Sequence, residues 1–183
     1  MNDLEIFYYI NGMAGQNTTL DYFFIFLTQL GLYLMLLVIL STRNKKLITK
    51  SIAALALVFA VDFIINLIWY RPRPFVGNEV NLLVNQGATA SFPSRHAMMA
   101  FSMAASFYLW NKRYSIIMFV LAAFIALSRV WVGVHYLSDI TAGAILGVVV
   151  ALIIEYVFEK YKIIKLVEKK LKIPTKRKQK PYK

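Results

Sequence analysis

Cysteine is absent from the chain, which rules out disulfides and thiolate-bound metals alike. Acids are scarce: nine Asp and Glu stand against 21 Lys and Arg, and there are only two histidines. A hard divalent cation needs several oxygen ligands. The acids near the ends of the apolar runs, Asp3, Glu5, Asp21, Glu79 and Asp139, are scattered along the chain, and of these only Asp139 has a spacing that pairs it with a histidine. No metal site and no cofactor is therefore expected. Met1-Asn2-Asp3-Leu4-Glu5 contains no basic stretch of the kind that opens a signal peptide, so insertion into a membrane should rely on the apolar runs themselves.

Those runs dominate what is present. Of 183 residues, 59% are hydrophobic, and the mean hydropathy is +0.58. Five segments are expected to cross the bilayer, at about residues 22–41, 47–69, 96–110, 114–132 and 138–158. The predicted fold is all-α, a polytopic bundle of five spanning helices, with residues 4–10 forming a short amphipathic helix in the interface. Residues 1–158 read as one membrane-embedded domain and residues 159–183 as a basic tail, where Ile163, Val167 and Leu171 stand four apart among lysines and predict an amphipathic surface helix. No internal repeat appears, and nothing indicates an oligomeric state.

A net charge of +12 would suit nucleic acid, but its placement argues against that partner: 11 of the 21 cations lie between Lys160 and Lys183, after the last span. Arg43, Lys45, Lys46, Lys50, Lys112 and Arg113 fall at breaks that share one side with the tail if the spans alternate, so this side is read as cytoplasmic. The four remaining cations, Arg71, Arg73, Arg95 and Arg129, all fall at the opposite ends of helices. His96 lies 16 residues before Lys112 and Arg129 lies 16 after Arg113, so in an antiparallel hairpin they reach one depth. At about 1.5 Å per residue that depth is roughly 24 Å above the turn, short of the ~30 Å hydrocarbon core.

Three segments gather polar groups at this face: Arg71-Pro72-Arg73-Pro74-Phe75, Ser91-Phe92-Pro93-Ser94-Arg95-His96, and Ser128-Arg129 with His135 and Asp139. Arginine presents a planar fork of donors suited to phosphate oxygens, and a helix N-terminus adds N–H groups and a favourable dipole. Ser94 reads as the N-cap of the third span. His135 and Asp139 are four apart, so the carboxylate can hold one ring nitrogen and leave the other free to attack phosphorus. Asp62 and Asn66, also four apart, share a face of the second span, where a carboxylate must meet the pocket or carry a proton.

These segments resemble the signature of the type 2 phosphatidic acid phosphatase superfamily: a lysine, six residues, then Arg-Pro; Pro-Ser-Gly-His; and Ser-Arg, five residues, His, three residues, Asp. Arg73-Pro74 matches the end of the first part, Pro93-Ser94 with His96 the second, and Ser128-Arg129, His135 and Asp139 the whole third. Two positions depart: Asn66 stands where the lysine is expected, and Arg95 replaces the glycine. The resemblance implies a metal-independent lipid phosphatase with His135 as nucleophile, Asp139 as its orienting partner and His96 as general acid. Arg73, Arg129 and Ser94 would bind the phosphoryl group, and Arg71 or Arg95 would restore the charge missing at Asn66.

Within the superfamily, RPRPF, SFPS and the stretch from Ser128 to Gly143 look most like bacterial undecaprenyl-diphosphate phosphatases of the bacitracin-resistance type. That likeness implies a hydrolase of cell-wall lipid recycling, with an extracytoplasmic active site and a cytoplasmic tail. The alternatives are a phosphatidylglycerophosphate or phosphatidate phosphatase, and a non-catalytic lipid-binding or transport protein on the same fold.

Overall fold

Asparagine opens four of the six helices in the computed structural model of the chain, which describes residues 2–161. The helices are α1 Asp3–Asn11, α2 Thr18–Ser41, α3 Lys45–Ile68, α4 Arg95–Trp110, α5 Lys112–Trp131 and α6 Leu137–Tyr161. Asn17, Asn44 and Asn111 each accept a first-turn N–H of α2, α3 and α5. Asn2 accepts from Glu5 N–H at 2.8 Å while the Glu5 carboxylate returns to Asn2 N–H at 3.0 Å, closing a capping box. No strand occurs among the described residues, and the all-α expectation holds. The amphipathic tail helix expected through Ile163, Val167 and Leu171 lies outside the described residues.

Four helices, α2, α3, α5 and α6, are long and apolar enough to cross a membrane. Their outward faces carry exposed apolar side chains such as Leu37, Phe63, Ile116 and Ile145, the pattern expected of lipid-facing surface. The third expected span, α4, differs. It has 16 residues, so at about 1.5 Å per residue it is roughly 24 Å long, and it runs through the middle of the bundle, packed on α2, α3, α5 and α6.

Centrality explains its composition. Ala97, Ala100, Ser102, Ala104, Ala105 and Ser106 are all buried, and small side chains let neighbouring backbones approach closely. The approach is tightest against α6, where a Cβ on Gly143 would fall 2.6 Å from the carbonyl oxygen of Ser94. Gly147, one turn on, meets the α4 backbone at Met98 in the same way. Glycine at both positions is what allows the two helices to touch.

The short N-terminal helix is present and docked. Phe7 is fully buried with Ala97, Val130, Tyr136 and Ile140. At the other end of α1, Asn11 donates to the carbonyls of Trp131 at 2.8 Å and Asn81 at 2.9 Å and accepts Asn81 N–H at 2.9 Å. This side chain fastens the long connection of residues 69–94 to the end of α5. The connection has no helix of its own, and further ties at Ser91 N–H to Arg71 O, 2.8 Å, and Leu83 N–H to Val132 O, 3.3 Å, hold it over one end of the bundle.

Candidate active site

The turn after α5 delivers His135. Val132 N–H bonds back to Ser128 O at 3.0 Å, and the amides of Val134 and His135 both donate to Arg129 O, at 3.1 and 3.2 Å. Reversing the chain here needs a left-handed residue, which Gly133 supplies at φ 87. The turn therefore ties the His135 backbone directly to that of Arg129, and leaves the imidazole only 3% exposed.

Asp139, in the first turn of α6, is completely buried behind that ring. One carboxylate oxygen, Oδ2, accepts Tyr136 N–H at 2.9 Å and lies 3.4 Å from His135 Nδ1. That approach is longer than a formed hydrogen bond, and Nδ1 has no other partner. The other oxygen, Oδ1, accepts from Arg71 Nη1 at 2.7 Å.

On the far side of the ring, Arg73 Nη1 donates to Val134 O at 2.9 Å and lies 3.2 Å from His135 Nε2. A guanidinium can only donate. Nε2 must therefore present its lone pair, which puts the ring proton on Nδ1, facing Asp139. Burial pushes the His135 pKa down to about 4; Asp139 opposes the fall, while Arg129 and Arg73 add to it. The imidazole is neutral at neutral pH.

Arg73 and Arg129 are themselves buried, at 7% and 4% exposure. Their partners are neutral: Thr89 Oγ1 at 3.2 Å for Arg73, and Thr28 Oγ1 at 3.3 Å and Gln86 Oε1 at 3.2 Å for Arg129. Neither joins an ion pair among the described residues, and the Nε–H of each is buried without an acceptor. Burial pulls the Arg73 pKa below its ordinary value, with Asp139 opposing it. Two buried cations without a paired anion are costly, so this site lacks negative charge that an anionic ligand would bring.

Both groups open into a cavity of about 590 Å³. Of the residues singled out in the sequence, His135, His96, Arg73, Arg129, Arg95 and Asn66 line it, together with Asp62. The equal depth expected for His96 and Arg129 is consistent with this shared lining. Arg95 reaches Asp62 Oδ2 at 3.3 Å with about half of its side chain exposed. Asn66 Nδ2 donates to Asp62 O at 2.7 Å, and its Oδ1 is buried with no partner.

Three residues from the same motifs lie off the lining. Asp139 sits behind His135. Ser94 is the N-cap residue of α4 but makes no side-chain cap; its N–H donates to Asp139 O at 3.1 Å and its hydroxyl is buried without a partner. Arg71 turns away from the cavity toward Asp139, Asp3 and Ser138. Thr28, Gln86 and Thr89, which hold the two guanidiniums, were not anticipated. Thr28 could have been noticed as a hydroxyl inside an apolar run, whereas Gln86 and Thr89 stand in a segment with no periodicity to read. Among the described residues, no three or more His, Asp or Glu side chains gather in a group able to hold a metal ion.

Residues 26–163 match the PAP2 superfamily. Over 164 residues, covering 86% of this chain and 82% of the relative, the sequence is 29% identical to the undecaprenyl-diphosphatase BcrC of Bacillus subtilis. Among solved structures, LpxE of Aquifex aeolicus superposes with a TM-score of 0.74 at 30% identity, covering 84% of this chain and 94% of that one. The PAP2-type phosphatidylglycerolphosphate phosphatase of Bacillus subtilis shares the fold, with a TM-score of 0.61 at 24% identity over 86% of this chain and 85% of that one.

Proposed function

As a member of the PAP2 superfamily this chain is a multi-pass membrane phosphatase, and we propose that it hydrolyses undecaprenyl diphosphate to undecaprenyl phosphate and inorganic phosphate. Its similarity to an undecaprenyl-diphosphatase over most of both chains supports that substrate. The observation that carries the mechanism is the sharing of one cavity by two unpaired buried guanidiniums and a neutral histidine.

In the proposed reaction Arg73 and Arg129 bind the terminal phosphoryl oxygens, with Arg73 exchanging its contact with Nε2 for one with the substrate. Fixed cations lower the barrier because charge on a transferring phosphoryl group spreads over its oxygens. Nε2 of His135 attacks phosphorus, the phosphorus–oxygen bond to the lipid phosphate breaks, and His96 protonates the leaving oxygen. Asp139 steadies the imidazolium through Nδ1–H. Water, deprotonated by His96, then displaces inorganic phosphate from the phosphohistidine. Arg95, at the position of the family glycine, is the residue on the lining able to replace the charge missing at Asn66; Ser94 contributes through the N-terminus of α4. The site opens on the extracytoplasmic side, and the basic tail from residue 159 is cytoplasmic.

Phosphate release by the purified full-length chain in EDTA tests this reading, with undecaprenyl diphosphate and phosphatidylglycerophosphate assayed side by side. Undiminished release from the diphosphate is expected. Preference for the monoester would reassign the substrate, inhibition by the chelator would overturn the metal-free route, and inactivity on both would favour a lipid-binding or transport role.

The acid limb of kcat/KM should be set by His135. With its pKa near 4, the nucleophile stays unprotonated down to that pH, and below it activity falls tenfold per pH unit. An acid limb near 6.5, the ordinary histidine value, would contradict the buried environment assigned to His135.

A further inference from the structure

Arg71 and Asp3 form a second polar cluster, adjoining the cavity but outside its lining. Arg71 Nη1 donates to Asp139 Oδ1 at 2.7 Å and to Ser138 Oγ at 2.6 Å; its Nη2 donates to Asp3 Oδ2 at 2.6 Å. The guanidinium lies over the Tyr136 ring, 4.1 Å from its centroid. Asp3 in turn accepts Ser138 N–H at 3.1 Å and the Ser138 hydroxyl. Asp3 belongs to α1, which is held rigidly by buried Phe7 and by the bonds of Asn11. We propose that Asp3 and Arg71 are positioning residues for the His135–Asp139 pair: Arg71 fixes the carboxylate of Asp139, and Asp3, carried on the N-terminal helix, fixes Arg71.

The physical need is clear from Asp139. Its Oδ2 must face His135 Nδ1, yet that approach is only 3.4 Å and does not by itself hold the carboxylate. Tyr136 N–H holds Oδ2 from one side and Arg71 holds Oδ1 from the other. Arg71 also neutralises part of the Asp139 charge that His135 feels. Both terminal nitrogens of Arg71 are occupied, which leaves it a poor phosphate ligand. Burial opposes its charge, but Asp3 and Asp139 outweigh burial and keep the guanidinium protonated.

The inference rests on the proposed activity for its kinetic test and has a second readout that does not. Arg71→Gln should lower kcat on the order of 10²-fold, the scale of a misplaced catalytic group, with KM changed less than about twofold. Asp3→Asn, nearly isosteric, should lower kcat about tenfold and add little in the Arg71→Gln background. Asp3→Glu should recover part of the loss. A rise in KM at unchanged kcat would make Arg71 a phosphate ligand, and additive losses would uncouple Asp3 from it; either overturns the proposal.

The chain has only two histidines, so ¹⁵N-histidine NMR of protein without a polyhistidine tag follows His135 whether or not turnover is seen. His135 faces Asp139 from α6, Arg129 from α5, Arg73 from the connection and His96 across the cavity. Removing Arg71 leaves Asp139 less neutralised, so the His135 titration should move to higher pH in Arg71→Gln. An unmoved titration would overturn the proposal even if no lipid phosphate proved to be a substrate.

Discussion

Replacing His135 by alanine is expected to abolish phosphate release, by at least about 10⁴-fold in kcat, as removal of a nucleophile does in enzymes whose catalytic groups act as a unit. Neither serine of the second motif nor a thiol can take over: Ser94 lies off the lining with its hydroxyl buried, Ser91 is off it too, and cysteine is absent from the chain. Arg73 and Arg129 remain, so a lipid phosphate should still bind. The measurement pairs phosphate release with a denaturing alkaline quench of protein incubated with substrate ³²P-labelled at its terminal phosphate. Wild type should retain acid-labile label and His135→Ala none. Asp139→Asn should keep weak activity, because the ring survives while its orientation is lost. Wild-type turnover in His135→Ala would end the phosphohistidine mechanism.

Arg129→Met is expected to lower kcat/KM on the order of 10³-fold and yet to raise the thermal midpoint of the substrate-free protein. The first effect follows from losing a fixed cation at the transferring group, comparable to removal of an arginine finger. The second follows from burial without a counterion. Arg129 is 4% exposed, its partners are the neutral Thr28 and Gln86, and its Nε–H has no acceptor. A well-packed apolar side chain of similar length avoids that desolvation, with a gain of about 1 kcal/mol or more. For a domain of this size that corresponds to roughly 2–4 °C per kcal/mol. Added phosphate should stabilise wild type and not the variant. Loss of both activity and stability would mean that Arg129 is chiefly structural.

Much of this architecture could be read from the amino acids, and the misses have physical causes. The third expected span began at His96 and α4 begins at Arg95, because Pro93 and Ser94 mark the start chemically. The first was expected from Tyr22, but α2 begins at Thr18: Asn17 caps it, and the polar Thr18 and Thr19 hid a helical turn from a hydropathy reading. The pairing of His135 with Asp139 was legible because four residues is a helical repeat. The turn of Arg71 onto Asp139 was not, since both arginines of RPRPF have identical chemistry, and which one meets the cavity depends on how the connection folds. Asp3 was equally hidden; its partner is 68 positions away along the chain.

The abutment of α4 on α6 has a consequence for evolution. The Ser94 N–H donates to the Asp139 carbonyl, and Gly143 lies against the carbonyl of Ser94 itself. One methyl group there would wedge apart the starts of two helices, drawing the His96 imidazole away from the carboxylate behind His135. Gly143 has no functional group to contribute to chemistry, yet mutational drift at that site should be restricted as tightly as at the two imidazoles.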